Sequence, residues 1–85
     1  MEYHQLIANR IACLCKERRL SINRLASMSN MNQSTIDNIM RGVSKNPRIK
    51  TLHKIAHTFN MTPAEFLDFP EFNAFSFDDE SPDDE

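Results

Sequence analysis

Two side-chain pairs in this 85-residue chain have spacings that can carry chemistry. Cys13 and Cys15 spell C-x-C, which on a loop could begin a metal site or a redox pair, and His53 and His57 stand at i, i+4, a spacing that can grip a metal from one helical face. Neither pair carries the reading far. On a helix, residues two apart project about 200° apart around the axis, and with no further cysteine there is no tetrathiolate set, so core or partly buried thiols are expected. No acidic third ligand accompanies the histidines, which favours a solvated or polyanion-facing helix surface. A single Gly excludes a phosphate-cradling loop, and no nucleophile stands in a motif with a base and an orienter. The expectation is therefore a protein that is not an enzyme and has no metal or cofactor.

The chemistry with more support is electrostatic. Residues 1–67 hold all ten Lys and Arg against four acids (Glu2, Glu17, Asp37, Glu65), whereas residues 68–85 hold eight acids and no Lys or Arg. The formal charge of −2 averages two unlike segments. A basic body is the footprint of a polyanion binder, and an all-acidic end reads as an interaction tail or a solvated segment. At this length one small core is expected, giving a domain over 1–67 and a tail over 68–85. The apolar runs are only a few residues long, so neither a membrane span nor a signal-peptide core is expected, and a soluble cytoplasmic protein is.

The elements that would position these charges are helical throughout. From Tyr3 to Arg18, Ile7, Ile11 and Leu14 keep i, i+4, i+7 spacing and predict a first helix. Ser21 is a good N-cap for a short second helix, Ile22 to Met28, with Leu25 and Ala26 inward. Ser29 to Asn32 interrupt the pattern: Asn30 suits a left-handed turn, Asn32 a cap, and a third helix follows from about Gln33 to Arg41. Gly42 is its stop, and Val43 to Arg48 form a polar loop. Ile49, Leu52, Ile55, Ala56 and Phe59 predict one apolar face of a fourth helix ended by Asn60. Thr62-Pro63-Ala64-Glu65 is a capping box opening a fifth through Phe66 and Leu67. No strand pattern appears.

Helix two, a turn of about four residues and helix three form the diagnostic unit, with small Ala26 where two helices must cross closely and Ile36 and Ile39 beneath the second. The stretches "ERRLSINRLASMSNMNQSTIDNIMRG" and "NPRIKTLHKIAHTFNMTPAEFL" resemble the Cro and phage-repressor type, Xre-type helix-turn-helix family, over roughly residues 6–68. The resemblance implies an all-α, compact five-helix lambda-repressor-like domain that binds double-stranded DNA, most often as a homodimer and as a repressor. It also implies that residues 33–41 are the recognition helix in the major groove. At about 100° per residue, Ser34, Asn38 and Arg41 point away from Ile36. Amide side chains can pair with both N6 and N7 of adenine, which makes Gln33 and Asn38 the expected base readers, with Ser34 between them and Arg41 beside them. Asp37 could accept from cytosine N4 or face solvent. Phosphate-contacting positions implied by the resemblance are the amide of Ile22, Asn32, and Lys45, Asn46 and Arg48 of the loop; Arg10, Lys16 and Arg19 are secondary candidates, the alternative being a solvated face.

This chain departs from the family pattern in three places. Ile22 stands where a Gln often opens helix two, leaving only the backbone amide for a phosphate, and Asn30 replaces a turn glycine. Cys15 and Met40 stand where the family often has an Arg and Glu that can form a buried ion pair. Replacing both charges by apolar groups is often neutral, so Cys15 is expected to pack on Met40. The tail interleaves Phe69, Phe72, Phe75 and Phe77 with acids. Its rings could dock on the body or a second subunit and leave the acidic end competing for the basic surface. Alternatively, the segment could fold onto another protein, making the chain an antitoxin-like partner binder, or have no role.

Overall fold

Helix stops shape this chain. The computed structural model describes residues 2–78, over which six helices form: α1 (Tyr3–Arg18), α2 (Ile22–Met28), α3 (Gln33–Met40), α4 (Ile49–Thr58), α5 (Pro63–Leu67) and α6 (Pro70–Asn73). The first four end on one device, a residue with positive φ just past the helix: Arg19 (54°), Asn30 (54°), Gly42 (77°) and Asn60 (59°). The next amide then reaches back five residues, Leu20 N–H to Cys15 O (2.8 Å), Met31 to Ala26 (3.0 Å), Val43 to Asn38 (2.9 Å) and Met61 to Ala56 (2.9 Å), closing carbonyls that would otherwise lack partners. Leu20, Met31 and Met61 then fold onto the core, while Val43 stays 63% exposed on the loop.

N-termini are set as locally. Ser21 Oγ accepts from Arg24 N–H at 3.0 Å to cap α2. Thr62 and Glu65 exchange bonds of 3.1 and 2.9 Å in a capping box ahead of Pro63. Asn32 occupies the N-cap position of α3, but its side chain makes no capping bond, contrary to expectation. The third helix ends at Met40, with Arg41 as its C-cap rather than its last turn.

The core gathers Ile7, Ile11, Leu14 and Cys15 from α1, Leu25 and Ala26 from α2, Ile36 and Ile39 from α3, and Ile55, Ala56, Phe59 and Phe66 from the α4–α5 end. Each fully buried aliphatic or aromatic side chain contributes about 1.5–3 kcal/mol, and this cluster is what holds helices too short to persist alone. Ile49 is the exception to the predicted apolar face of α4. It sits at the first turn, before the helix reaches the core, and is 81% exposed. Buried Ser29 ties the α2–α3 turn to α4: its Oγ lies 2.7 Å from Thr58 Oγ1, which donates to Lys54 O at 3.0 Å, so Ser29 is the donor of the shorter bond.

Beyond α5 the chain stays on the body. Phe69 is buried, the extra helix α6 opens with Pro70 and Glu71, and Phe72 packs against the core. The Tyr3 ring at the head of α1 then receives Phe72, Phe75 and Phe77 at centroid distances of 5.9, 5.1 and 5.5 Å, separations at which aromatic pairs attract. Residues 79–85, the rest of the acidic run, lie outside the described residues. Among the described residues, no helix is long and apolar enough to cross a membrane.

Candidate nucleic-acid interface

Helix α3 is fixed from beneath by Ile36 and Ile39, which are 0% and 2% exposed, so the opposite side must face outward. On that side Ser34 and Arg41 are exposed and Asn38 is half-buried, while exposed Gln33 and half-buried Asp37 lie along its edge. Gln33 Nε2 donates to Asp37 Oδ1 at 2.9 Å. This i, i+4 bond uses one amide hydrogen and orients the group, while Oε1 and the second hydrogen keep the donor and acceptor pair that adenine's edge requires. Asp37 therefore acts on Gln33, a relation that the Gln-x-x-x-Asp spacing could have signalled.

The loop after α3 is held by the helix itself. Asn38 O accepts from both Val43 N–H and Ser44 N–H at 2.9 Å, which seats residues 43 and 44 on the end of α3 and presents Lys45, Asn46 and Arg48, all exposed, beside its outward face. Two clefts border this arrangement. One of about 350 Å³ is lined by Thr35, Ser44, Asn46, Pro47, Arg48 and Thr51; the other, of about 330 Å³, lies between the α2–α3 turn and α4 and is lined by Asn30, Asn32, Thr35, Arg48, Lys50 and Lys54. Lys50 and Lys54 were not among the expected contacts. The signal for them is in the sequence: from Asn38 to Ala64 there are five Lys or Arg residues and no Asp or Glu, so the loop and α4 form an acid-free cationic run.

The remaining sequence-predicted cations separate by location. Arg10 does not face this surface. Its Nε donates to Phe66 O at 2.9 Å, its second amino group to Glu65 O at 3.1 Å, and its guanidinium lies 5.1 Å from the Phe69 ring centroid. A fork with both arms on carbonyls at the end of α5 is a structural clasp, so Arg10 is engaged there and not held ready for a phosphate, contrary to expectation. Lys16 and Arg19 are exposed near the end of α1 and line neither cleft. Ile22 turns its side chain onto the core, leaving its amide at the first position of α2, where no carbonyl of the helix can reach it. Cys15 and Met40 share one core, Cys15 buried and Met40 packed against it from α3. Burial pushes the Cys15 thiol up from its ordinary range. Cys13 is exposed, as are His53 and His57 along α4.

A short helix with a polar outer face, crossed by a second helix and edged by a cationic loop, is the arrangement of a helix-turn-helix DNA-binding domain. Residues 10–71 match the Cro/C1-type HTH DNA-binding domain, and the chain belongs to that family. Among solved structures it is similar to one described as the crystal structure of the prophage Lp1 protein 11, at 32% identity and a TM-score of 0.78, covering 88% of this chain and 100% of that one. Among curated proteins, none matches.

Proposed function

We propose that the protein is a sequence-specific transcriptional regulator that acts in the cytoplasm as a homodimeric repressor, with α3 in the major groove of its operator. One observation carries the reading: the outward face of α3 is polar, and the acid-free cationic run of the loop and α4 flanks it. Gln33 and Asn38 read base edges, with Ser34 and Arg41 completing the face and Asp37 holding Gln33. Phosphates are met by Lys45, Asn46 and Arg48, by Asn32, Lys50 and Lys54 around the second cleft, and by the Ile22 amide. A two-fold dimer sets its half-sites about 34 Å apart, with the α4–α5 region or the Phe-rich tail as interface candidates.

The test is selection of bound sequences from random duplex DNA, followed by the Gln33→Ala and Asn38→Ala variants. Each variant should lose about 1–3 kcal/mol of discrimination at one base pair of the selected half-site while keeping its affinity for random duplex. Equal binding of selected and random duplexes by the unaltered protein defeats the proposal.

A further inference from the structure

Asp37 is the only acid between Glu17 and Glu65, and it stands on the helix proposed to enter the groove. A carboxylate there opposes phosphates, so by its charge alone it costs affinity. Its side chain is engaged with Gln33: Oδ1 accepts from Gln33 Nε2 at 2.9 Å across one turn of α3. Both side chains lie along one edge of that helix, Gln33 exposed at its first position and Asp37 half-buried. The first residues of a recognition helix are the ones that reach base edges, so in the proposed docking this pair is turned to the groove.

Hydrogen counting then limits what Gln33 can read. A free glutamine amide carries two N–H hydrogens and one carbonyl oxygen, and half a turn about its terminal torsion exchanges the two ends. An ionised carboxylate only accepts, so beside Asp37 the nitrogen end must face Oδ1, and the exchanged form, with Oε1 against the carboxylate, is repelled. One hydrogen is spent on Asp37. One donor and one acceptor are left. Adenine offers their complement, N7 accepting and N6 donating, whereas guanine offers two acceptors, N7 and O6. To meet guanine the amide would have to give both hydrogens or set Oε1 against O6, and Asp37 has already taken one of the two. We infer that Asp37 is a positioning residue that makes α3 select adenine over guanine at the base pair met by Gln33. The inference rests on the DNA-binding reading above and deepens it from a polar face to a stated purine. An exposed i, i+4 bond is weak in water and strengthens where the groove excludes water, so its effect falls on the choice of base rather than on the fold.

The test uses duplexes carrying the half-site selected from random DNA, in four versions that differ only at the base pair whose preference is lost on Gln33→Ala. They are titrated at one salt concentration with the full chain, D37A, D37N, Q33A and Q33A/D37A, and thermal melting checks that each variant is folded. D37A leaves the Gln33 amide free, and D37N keeps the size of the side chain but can donate to Oε1, which admits the exchanged form. The full chain should hold adenine over guanine by about 10- to 100-fold, and D37A and D37N should each cut that ratio to about threefold or less. Both variants also gain affinity for every duplex as a phosphate-repelling charge is removed; the ratio between two duplexes cancels that gain, which makes it the readout. In the Q33A background, adding D37A should leave the ratio unchanged, because Asp37 acts through Gln33. An unchanged ratio in D37A and D37N overturns the inference while leaving the DNA-binding reading intact, as does selection of guanine at that pair. A cytosine preference that D37A abolishes in the Q33A background also overturns it, since Asp37 then reads cytosine N4 itself. If Gln33→Ala shifts no preference, or selected and random duplexes are bound alike, the reading of α3 fails first and the inference falls with it.

Discussion

Replacing Arg10 by Ala separates a structural cation from a DNA-contacting one. The guanidinium makes two hydrogen bonds, to Phe66 O (2.9 Å, part-buried) and Glu65 O (3.1 Å, exposed), and stands over the Phe69 ring at 5.1 Å. A part-buried bond from a charged donor contributes about 1–1.5 kcal/mol, its exposed neighbour about 0.5, and the ring contact about 0.5–1. The loss is therefore about 2–3 kcal/mol, which for a domain this size lowers Tm by roughly 10–20 °C. Arg10→Lys keeps the charge but cannot fork between two carbonyls, so it should recover less than half of the loss. Thermal melting measures both variants, and DNA titrations across salt at a temperature where each is folded complete the comparison. The slope of log K against log salt should not change for Arg10→Ala, whereas Lys45→Ala or Arg48→Ala should each reduce it by about 1 and leave Tm nearly unchanged. An Arg10→Ala protein with wild-type Tm and a shallower salt slope would show the clasp to be incidental and the guanidinium a phosphate contact.

Three further outcomes follow from single residues. Gly42→Ala places a methyl at φ 77° with the His4 ring 3.1 Å away, so it should destabilise by about 1–2 kcal/mol in urea unfolding. Adding His4→Ala should recover only the steric share, and full recovery would exclude backbone strain as the cause. Cys13 should react with a thiol reagent in the native protein while Cys15 reacts only on unfolding, as mass spectrometry of labelled peptides would reveal. Because burial raises the Cys15 thiol above its unfolded value, the stability it carries is complete below the ordinary thiol range and declines as pH rises through and above it. Cys15→Val should flatten that alkaline decline, and an unchanged slope would assign it to another group.

What could be read in advance depended on whether a residue's local preference matched its tertiary surroundings. Asn30, Gly42 and Asn60 announced their left-handed stops because Asn and Gly tolerate positive φ, but Arg19 makes the same stop without any such preference. Its only sign is the apolar residue after it, Leu20, which the turn drives onto the core. Ile49 continued the 3.6-residue stripe of α4 correctly, yet periodicity does not say where along its axis a helix meets its neighbours. Pro70 and Glu71 are helix-opening residues, but the acidity of 68–85 drew the boundary before them, and the burial of Phe69 depends on α1, which lies some sixty residues earlier. For α3 the outward residues and the Gln33–Asp37 bond both follow from the helix period, since residues four apart share one edge.

The fate of the α1 arginines changes how the charge of this protein is counted. Arg18 donates to Phe59 O at 2.7 Å and lies 5.7 Å from the Phe59 ring, while Arg10 does the same to the end of α5 beside Phe69. Two of the ten cations thus satisfy carbonyls where short helices stop, a position favoured by both the missing hydrogen bonds and the local dipole. Net charge over residues 1–67 counts these two as if they faced a polyanion and treats Glu17 and Glu65 as if they opposed it. The stretch from Asn38 to Ala64 is the better unit, since it holds five cations and no acid and runs from the end of α3 through the loop and α4 to the start of α5. A polyanion meets local potential within a Debye length rather than a sum over the chain. A protein with a formal charge of −2 can therefore present a strongly positive face to DNA.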